Sequence, residues 1–335
     1  MNNSKTYPLL FEPILKDYIW GGRNLETRLG RKLPDDSIIA ESWEIAAHKD
    51  GTAKVINGPY AGKLLTELLE ELGLDLIGSK SKWALDRNLF PLLIKILDAN
   101  RNLSVQVHPN DEYALKYEGN ELGKTEMWVV LHAEPGAEVI LGVAEGTTPE
   151  KFEQAITDGK LEPFMNRIPV QAGDHINVPA GSLHAILGGL LIAEIQQNSN
   201  TTYRVYDWNR VGHDGKPRPL HVAKAMDVTN FEQVAPIKSA AHLVHEVGGV
   251  KRELLNKTQY FTVERVTLAE GVQFAGKCSG ETFEIWGIID GAGCVEAGAV
   301  KEGLDSVQFT LIPAAAGDFY VSSEQKSTWL RAYVK

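Results

Sequence analysis

Cysteine is scarce in this chain. Its 335 residues hold two, Cys278 and Cys294, too few for a disulfide framework and without metal-ligand spacing, so two reduced thiols in a cytosolic protein are expected. Basic tracts are missing too. The net charge is −10, which argues against nucleic acid and anionic membranes as partners. A substrate phosphate would need a local cluster of cations working against that overall field. No apolar run is long. Residues 185–193 form the longest, interrupted by Gly188 and Gly189, and a bilayer requires roughly 20 apolar residues. Residues 1–8 are polar and lack the apolar region of a signal peptide, so a cytoplasmic location is expected. No Gly-x-Ser-x-Gly elbow exists for a serine hydrolase. Gly123-Lys124-Thr125 looks like the end of a P-loop, but Glu118 stands where its first glycine belongs and Gly119 is one place off. The segment then continues as a strand, so nucleotide binding there is excluded.

What is present is β-sheet patterning. Hydrophobic residues make up 43% of the chain, enough for a real core. Alternation and short apolar runs predict strands at residues 38–46, 90–97, 127–131, 139–141, 192–195 and 203–206. Helices look few. Residues 64–72 have helical spacing and stop at Gly73. Residues 149–157 have Thr148 as N-cap, Pro149 at the first position and Gly159 beyond the end. Weaker helical patterns cover 111–117 and 221–228. The pattern changes after about residue 230, and strands follow at 260–268, 281–289, 307–312, 319–321 and 329–334. A boundary near 232–245 divides the chain into a first domain, 1–235, and a second, 236–335. The last histidine is His245, so the second domain beyond that boundary region offers no histidine-based site and is expected to be structural. No low-complexity linker and no short internal repeat is visible.

Three separated pieces read as one metal site: Gln106-Val107-His108, then Glu126, then Pro179-Ala180-Gly181-Ser182-Leu183-His184. Residues two apart on a strand share a face, so Gln106 and His108 can aim at one point. Pro109 ends that ladder, as at a barrel rim. Together the four side chains offer two nitrogens and two oxygens, a set that suits zinc, with iron, manganese or cobalt as alternatives. Taken singly, His108 reads as a core histidine and Glu126 as a strand-start surface residue; the joint pattern reads as a site. Lys124 lies two residues before Glu126 and shares its face. Lys95 stands in an otherwise apolar run, unusual for a lysine without a partner unless the strand is an edge facing water.

The spacing Gly173-x5-Pro179-x-Gly181-x2-His184 matches the second cupin signature at these positions. With Gln106-Val107-His108-Pro109-Asn110-Asp111, Gly123-Lys124-Thr125-Glu126-Met127-Trp128 and Tyr203-Arg204, the chain resembles type I mannose-6-phosphate isomerase in its short bacterial form. The resemblance covers most of the first 230 residues. It departs from the general cupin pattern at Gly188, where asparagine is expected, a matter of turn geometry. It implies a mainly β fold of two cupin jelly-roll barrels. The first would be catalytic and carry helical insertions, one of them between His108 and Glu126. The second would be a degenerate cupin. It further implies one zinc ion per chain, held by His108, Glu126 and His184 with Gln106 as fourth ligand. Arg204 and Lys124 would be catalytic; Lys95, Ser104, Lys124 and Arg204 would bind substrate. Arg204 could instead pair with Asp207 on the surface.

The implied reaction interconverts mannose 6-phosphate and fructose 6-phosphate by proton transfer through an enediol(ate). The base stays open among a metal-bound water, Lys124, Glu126 and a histidine such as His175. The partner would be a small-molecule sugar phosphate, and the chain a monomer or weak homo-oligomer. Two alternatives remain: another metal-dependent cupin enzyme acting on a different phosphosugar, and a non-catalytic sugar-binding cupin.

Overall fold

The computed structural model describes residues 6–34, 36–211, 215–232, 240–305 and 307–335. The chain divides into two compact units. The central unit holds the described residues of Leu15–Ser42 and Lys95–Ser239; the terminal unit holds those up to Ile14, Trp43–Ile94 and Ala240–Lys335. The expected cut between 235 and 236 falls outside the described residues, and a single cut does not reproduce these units. Strand pairing is the reason. Leu9–Glu12 pairs antiparallel with Phe309–Ile312, Leu9 opposite Leu311, and its other edge takes Lys54–Val55. The N-terminal strand thus completes the C-terminal sheet. The helices Leu65–Leu72, Leu74–Ile77 and Lys82–Leu85 go with it, so these are not insertions in the unit that carries the metal-ligand candidates.

The central unit is two sheets face to face. In one, His175–Val178, Glu126–Ala133, Leu190–Gln197, the part of Leu92–Ala99 from Lys95 on, and Glu41 and Ser42 of Glu41–Ile45 are successive neighbours; in the other, Met165–Pro169, Glu138–Val143, His184–Ile186, Val105–Val107 and Tyr203–Tyr206. Side-chain alternation builds the core. Leu97, Trp128, Val130 and Ile192 of the first sheet meet Val139, Leu141 and Ile186 of the second in one buried cluster. The residues between, Ile140 and Ala185, point to the opposite face. There they pack with Phe152, Ala155 and Ile156 of helix Pro149–Thr157 and Ala225 of helix Val222–Val228. That helix starts where its sequence says, with the Thr148 side chain accepting from the Lys151 N–H.

The terminal unit is likewise a pair of sheets, of eight and four strands. Val266, Trp286, Ile312 and Trp329 from the larger meet Phe274, Val295, Phe319 and Val321 from the smaller. The strands expected from the sequence form here within a few residues of their expected ends. Among those not expected are His242–Val247 and Val250–Lys257, which pair with each other, and also Gln273–Cys278, Ala292–Ala297 and Val300–Asp305. The first is exposed throughout and so carries no apolar alternation. The turn joining it to Val250–Lys257 is Gly248-Gly249, both at positive φ (61° and 80°), which suits a tight hairpin.

Candidate metal centre

Two strand ends and one turn bring the cluster together. Glu126 begins the strand Glu126–Ala133 and His184 begins His184–Ile186. Gln106 lies directly opposite His184 on one side and Arg204 on the other, so all three share a face. His108 follows the end of Val105–Val107. Its carbonyl accepts from Gly181 N–H at 2.8 Å, which ties the His108 segment to the turn before His184. Gly181 adopts φ +86°, and a Cβ there would sit 3.0 Å from the Val228 carbonyl oxygen, so glycine is required. At Gly188, the N–H donates to Asn102 Oδ1 at 2.9 Å, so an asparagine from another segment serves this turn.

His108, Glu126 and His184 are buried, with ligating atoms all within 4.8 Å of one another. His108 Nε2 lies 3.6 Å from Glu126 Oε2, and His184 Nε2 3.4 Å from Oε1. Each Nδ1 meets a carbonyl: His108 that of Thr201 at 2.8 Å, His184 that of Ser182 at 2.9 Å. A carbonyl can only accept, so each Nδ1 carries the proton and each Nε2 presents a lone pair. Burial lowers His108 well below the usual histidine range and His184 to about 4, so both rings are neutral. Two nitrogen lone pairs thus face a carboxylate, and neither Nε2 has a hydrogen-bond partner. Such an arrangement is repulsive until a cation enters it. The donor set therefore fits a divalent metal ion.

Glu126 is held by Trp128, whose indole Nε1 donates to Oε1 at 3.1 Å. Replacing Trp128 with phenylalanine removes that donor and keeps most of the packing. It is expected to weaken metal affinity by about 10-fold, read by competition with a chelating dye; unchanged affinity would show that the indole does not position the carboxylate.

The cluster borders a cavity of about 210 Å³ lined by Lys95, Ser104, Gln106, Lys124, Glu126 and Arg204. Every residue expected to touch substrate is there, together with Glu41, Glu194, Arg218, Tyr18 and Trp20. Lys124 Nζ is 3.1 Å from Glu126 and 3.6 Å from Glu194. Burial pulls its pKa down, but the two carboxylates outweigh burial and hold it above the ordinary value. Lys95 lies on an interior strand, buried, 3.4 Å from Glu41; it is not an edge lysine facing water. Arg204 does not pair with Asp207, which is taken by Arg210 and Arg218. Its Nη1 donates to the Pro219 carbonyl, and its Nε is buried without a hydrogen bond. His175 stays away from the cavity: it lies opposite Val129, on the strand face away from Ile176 and Val178.

Glu194 was missed by sequence reasoning. Burial first, then the Glu126 charge, pushes its carboxyl up to about 7. The signal was available, because it is a lone carboxylate in an apolar strand, as Lys95 is a lone ammonium in another.

Fold and site define a mainly β protein with a candidate metal centre in a charged cavity. The family model for the catalytic domain of type I phosphomannose isomerase matches residues 9–123. Two Bacillus subtilis proteins align over 94% of the chain. The probable mannose-6-phosphate isomerase GmuF is 36% identical over 96% of its own length, and mannose-6-phosphate isomerase ManA is 37% identical over 95%. A crystal structure of mannose 6-phosphate isomerase from Bacillus subtilis superposes with a TM-score of 0.85 at 33% identity, covering 98% of this chain and 99% of that one. The chain belongs to the type I phosphomannose isomerase family and is an isomerase.

Proposed function

We propose that this protein interconverts mannose 6-phosphate and fructose 6-phosphate, with zinc at the His108, Glu126 and His184 cluster and Gln106 as the fourth ligand. The observation that carries the reading is the convergence of that cluster with Lys95, Lys124 and Arg204 on one cavity. The relatives that align over 94% of the chain are named for this reaction. Two cupin jelly rolls, a cytoplasmic setting, and a monomer or weak homo-oligomer acting on a small-molecule sugar phosphate belong to the same reading.

A bound divalent cation would polarise the oxygens at C1 and C2 of the open-chain sugar. The chain supplies the rest. Lys124, kept protonated by its carboxylate neighbours, donates toward the oxygen that gains negative charge in the enediolate. Arg204 offers a permanent cation to the same oxygens or to the phosphate. Glu194, with a carboxyl near 7, can accept and return a proton at neutral pH, and is the group best tuned to move it between the two carbons. Burial of these groups excludes water from the intermediate.

A coupled assay tests the reading. Mannose 6-phosphate and fructose 6-phosphate are expected to interconvert, and glucose 6-phosphate to react poorly. In heavy water, deuterium is expected on C1 and C2 after many turnovers. A metal-loaded protein that isomerises neither sugar sinks the substrate; product still free of label after many turnovers sinks proton transfer through a base that exchanges with solvent.

A further inference from the structure

The terminal unit repeats the strand order of the central one. For His175–Val178, Glu126–Ala133, Leu190–Gln197, Leu92–Ala99 and Glu41–Ile45 it has Phe309–Ile312, Glu284–Asp290, Ser327–Tyr333, Thr262–Leu268 and Val250–Lys257. The smaller sheets correspond in the same way: Met165–Pro169, Glu138–Val143, His184–Ile186 and Val105–Val107 against Val300–Asp305, Ala292–Ala297, Gly317–Ser322 and Gln273–Cys278. The sequence marks the register with Glu126-Met127-Trp128 in one unit and Glu284-Ile285-Trp286 in the other. In both, the indole donates to the carboxylate two residues earlier, at 3.1 Å and 2.8 Å.

With the tryptophans aligned, strand pairing equates the neighbours. Trp128 stands opposite Glu194, and Trp286 opposite Arg331. A guanidinium therefore takes the place of the central unit's second buried carboxylate. Its Nε donates to Glu284 Oε2 at 2.7 Å and its Nη1 to Glu264 Oε2 at 3.1 Å. Arg252 closes the row by donating to Glu264 at 2.8 Å and 3.1 Å. Across four strands the terminal row reads Arg252, Glu264, Arg331, Glu284, alternating in sign and neutral in sum. The central row reads Glu41, Lys95, Glu194, Glu126, and Lys124 meets its last two members at 3.6 and 3.1 Å, so three carboxylates face two ammonium groups. The central row needs a further cation; the terminal row contains its own.

Other features agree. The strands matching those of Gln106 and His184 carry no histidine, and the Phe319 ring fills the space over Gly276, where a Cβ would lie 2.1 Å from it. The Arg331 guanidinium also lies over the rings of Phe274, Trp286 and Tyr333, at 5.4, 5.8 and 4.9 Å, a box suited to a planar cation. We propose that the terminal unit is a closed copy of the metal-bearing unit, in which the Arg331 side chain is the cation. This rests on the proposed function only for what the central cluster holds; the terminal cluster is tested without activity.

Arg331→Ala leaves Glu264 and Glu284 facing each other without their shared counter-charge. The melting temperature is expected to fall by about 10 °C, and millimolar ethylguanidinium is expected to restore most of that loss while leaving the native protein unmoved. Metal content should stay at one ion per chain. The triple variant Glu264→Gln, Glu284→Gln, Arg331→Met removes both signs of charge, and is expected to melt within a few degrees of the native protein and to ignore ethylguanidinium. An unchanged melting temperature in Arg331→Ala, or a loss that ethylguanidinium does not repair, overturns the proposal. If Arg331→Ala does not fold, the triple variant decides: a folded protein supports the proposal, and failure to fold contradicts it.

Discussion

Arg204→Ala is expected to lower kcat/KM for mannose 6-phosphate by about 10²- to 10³-fold, the range for removing one preorganised donor from a developing oxyanion, with bound metal unchanged. The size follows from the state of the guanidinium. Its strand neighbour Gln106 places it beside the cluster. Its Nε is buried and unbonded, and Asp207 is occupied by Arg210 and Arg218, so its charge is not spent on a local carboxylate. Burial and the nearby Arg218 charge lower its pKa, but a guanidinium remains cationic at neutral pH. Arg204→Lys keeps the charge and loses the fork, so partial recovery is expected. Activity within about threefold of native in Arg204→Ala would mean that Arg204 is idle; unchanged sugar binding with no activity to lose in the native protein would favour the non-catalytic sugar-binding reading.

His184→Ala should have the larger effect. It removes a fully buried member of the candidate metal cluster and leaves Glu126 and His108 with Lys124 beside them. Loss of a supporting residue around a metal typically costs 10- to 100-fold in affinity, so loss of a ligand should exceed about 100-fold. Purified variant is expected to carry less than about a tenth of an ion per chain, and to show isomerase activity at the assay's background. Full metal content would show that the ion sits elsewhere.

The site was more legible in the sequence than the domain division. Glutamine, histidine, glutamate and histidine are uncommon in apolar strands, and the Gly-x5-Pro-x-Gly-x2-His spacing reports a turn that only certain residues can make. Lys124 followed from the period of two. The division was not legible, because Leu9–Glu12 pairs with a strand some 300 residues later, and no local pattern records a partner at that distance. The alternative pairing of Arg204 with Asp207 fails for a related reason: Asp207 is taken by Arg210 and by Arg218, the latter 11 residues further along the chain. The charge row of the terminal unit emerges only from register, since Arg252, Glu264, Glu284 and Arg331 each look like ordinary strand surface residues when read alone.

The central claim is that one metal ion at His108, Glu126 and His184 is required for sugar-phosphate isomerisation. Its most direct test is titration of zinc into chelator-treated protein while following conversion of mannose 6-phosphate. The account predicts activity near zero without metal, rising in proportion to zinc and levelling off at one equivalent per chain. Full activity in metal-free protein, or a plateau only after a second equivalent, would contradict it.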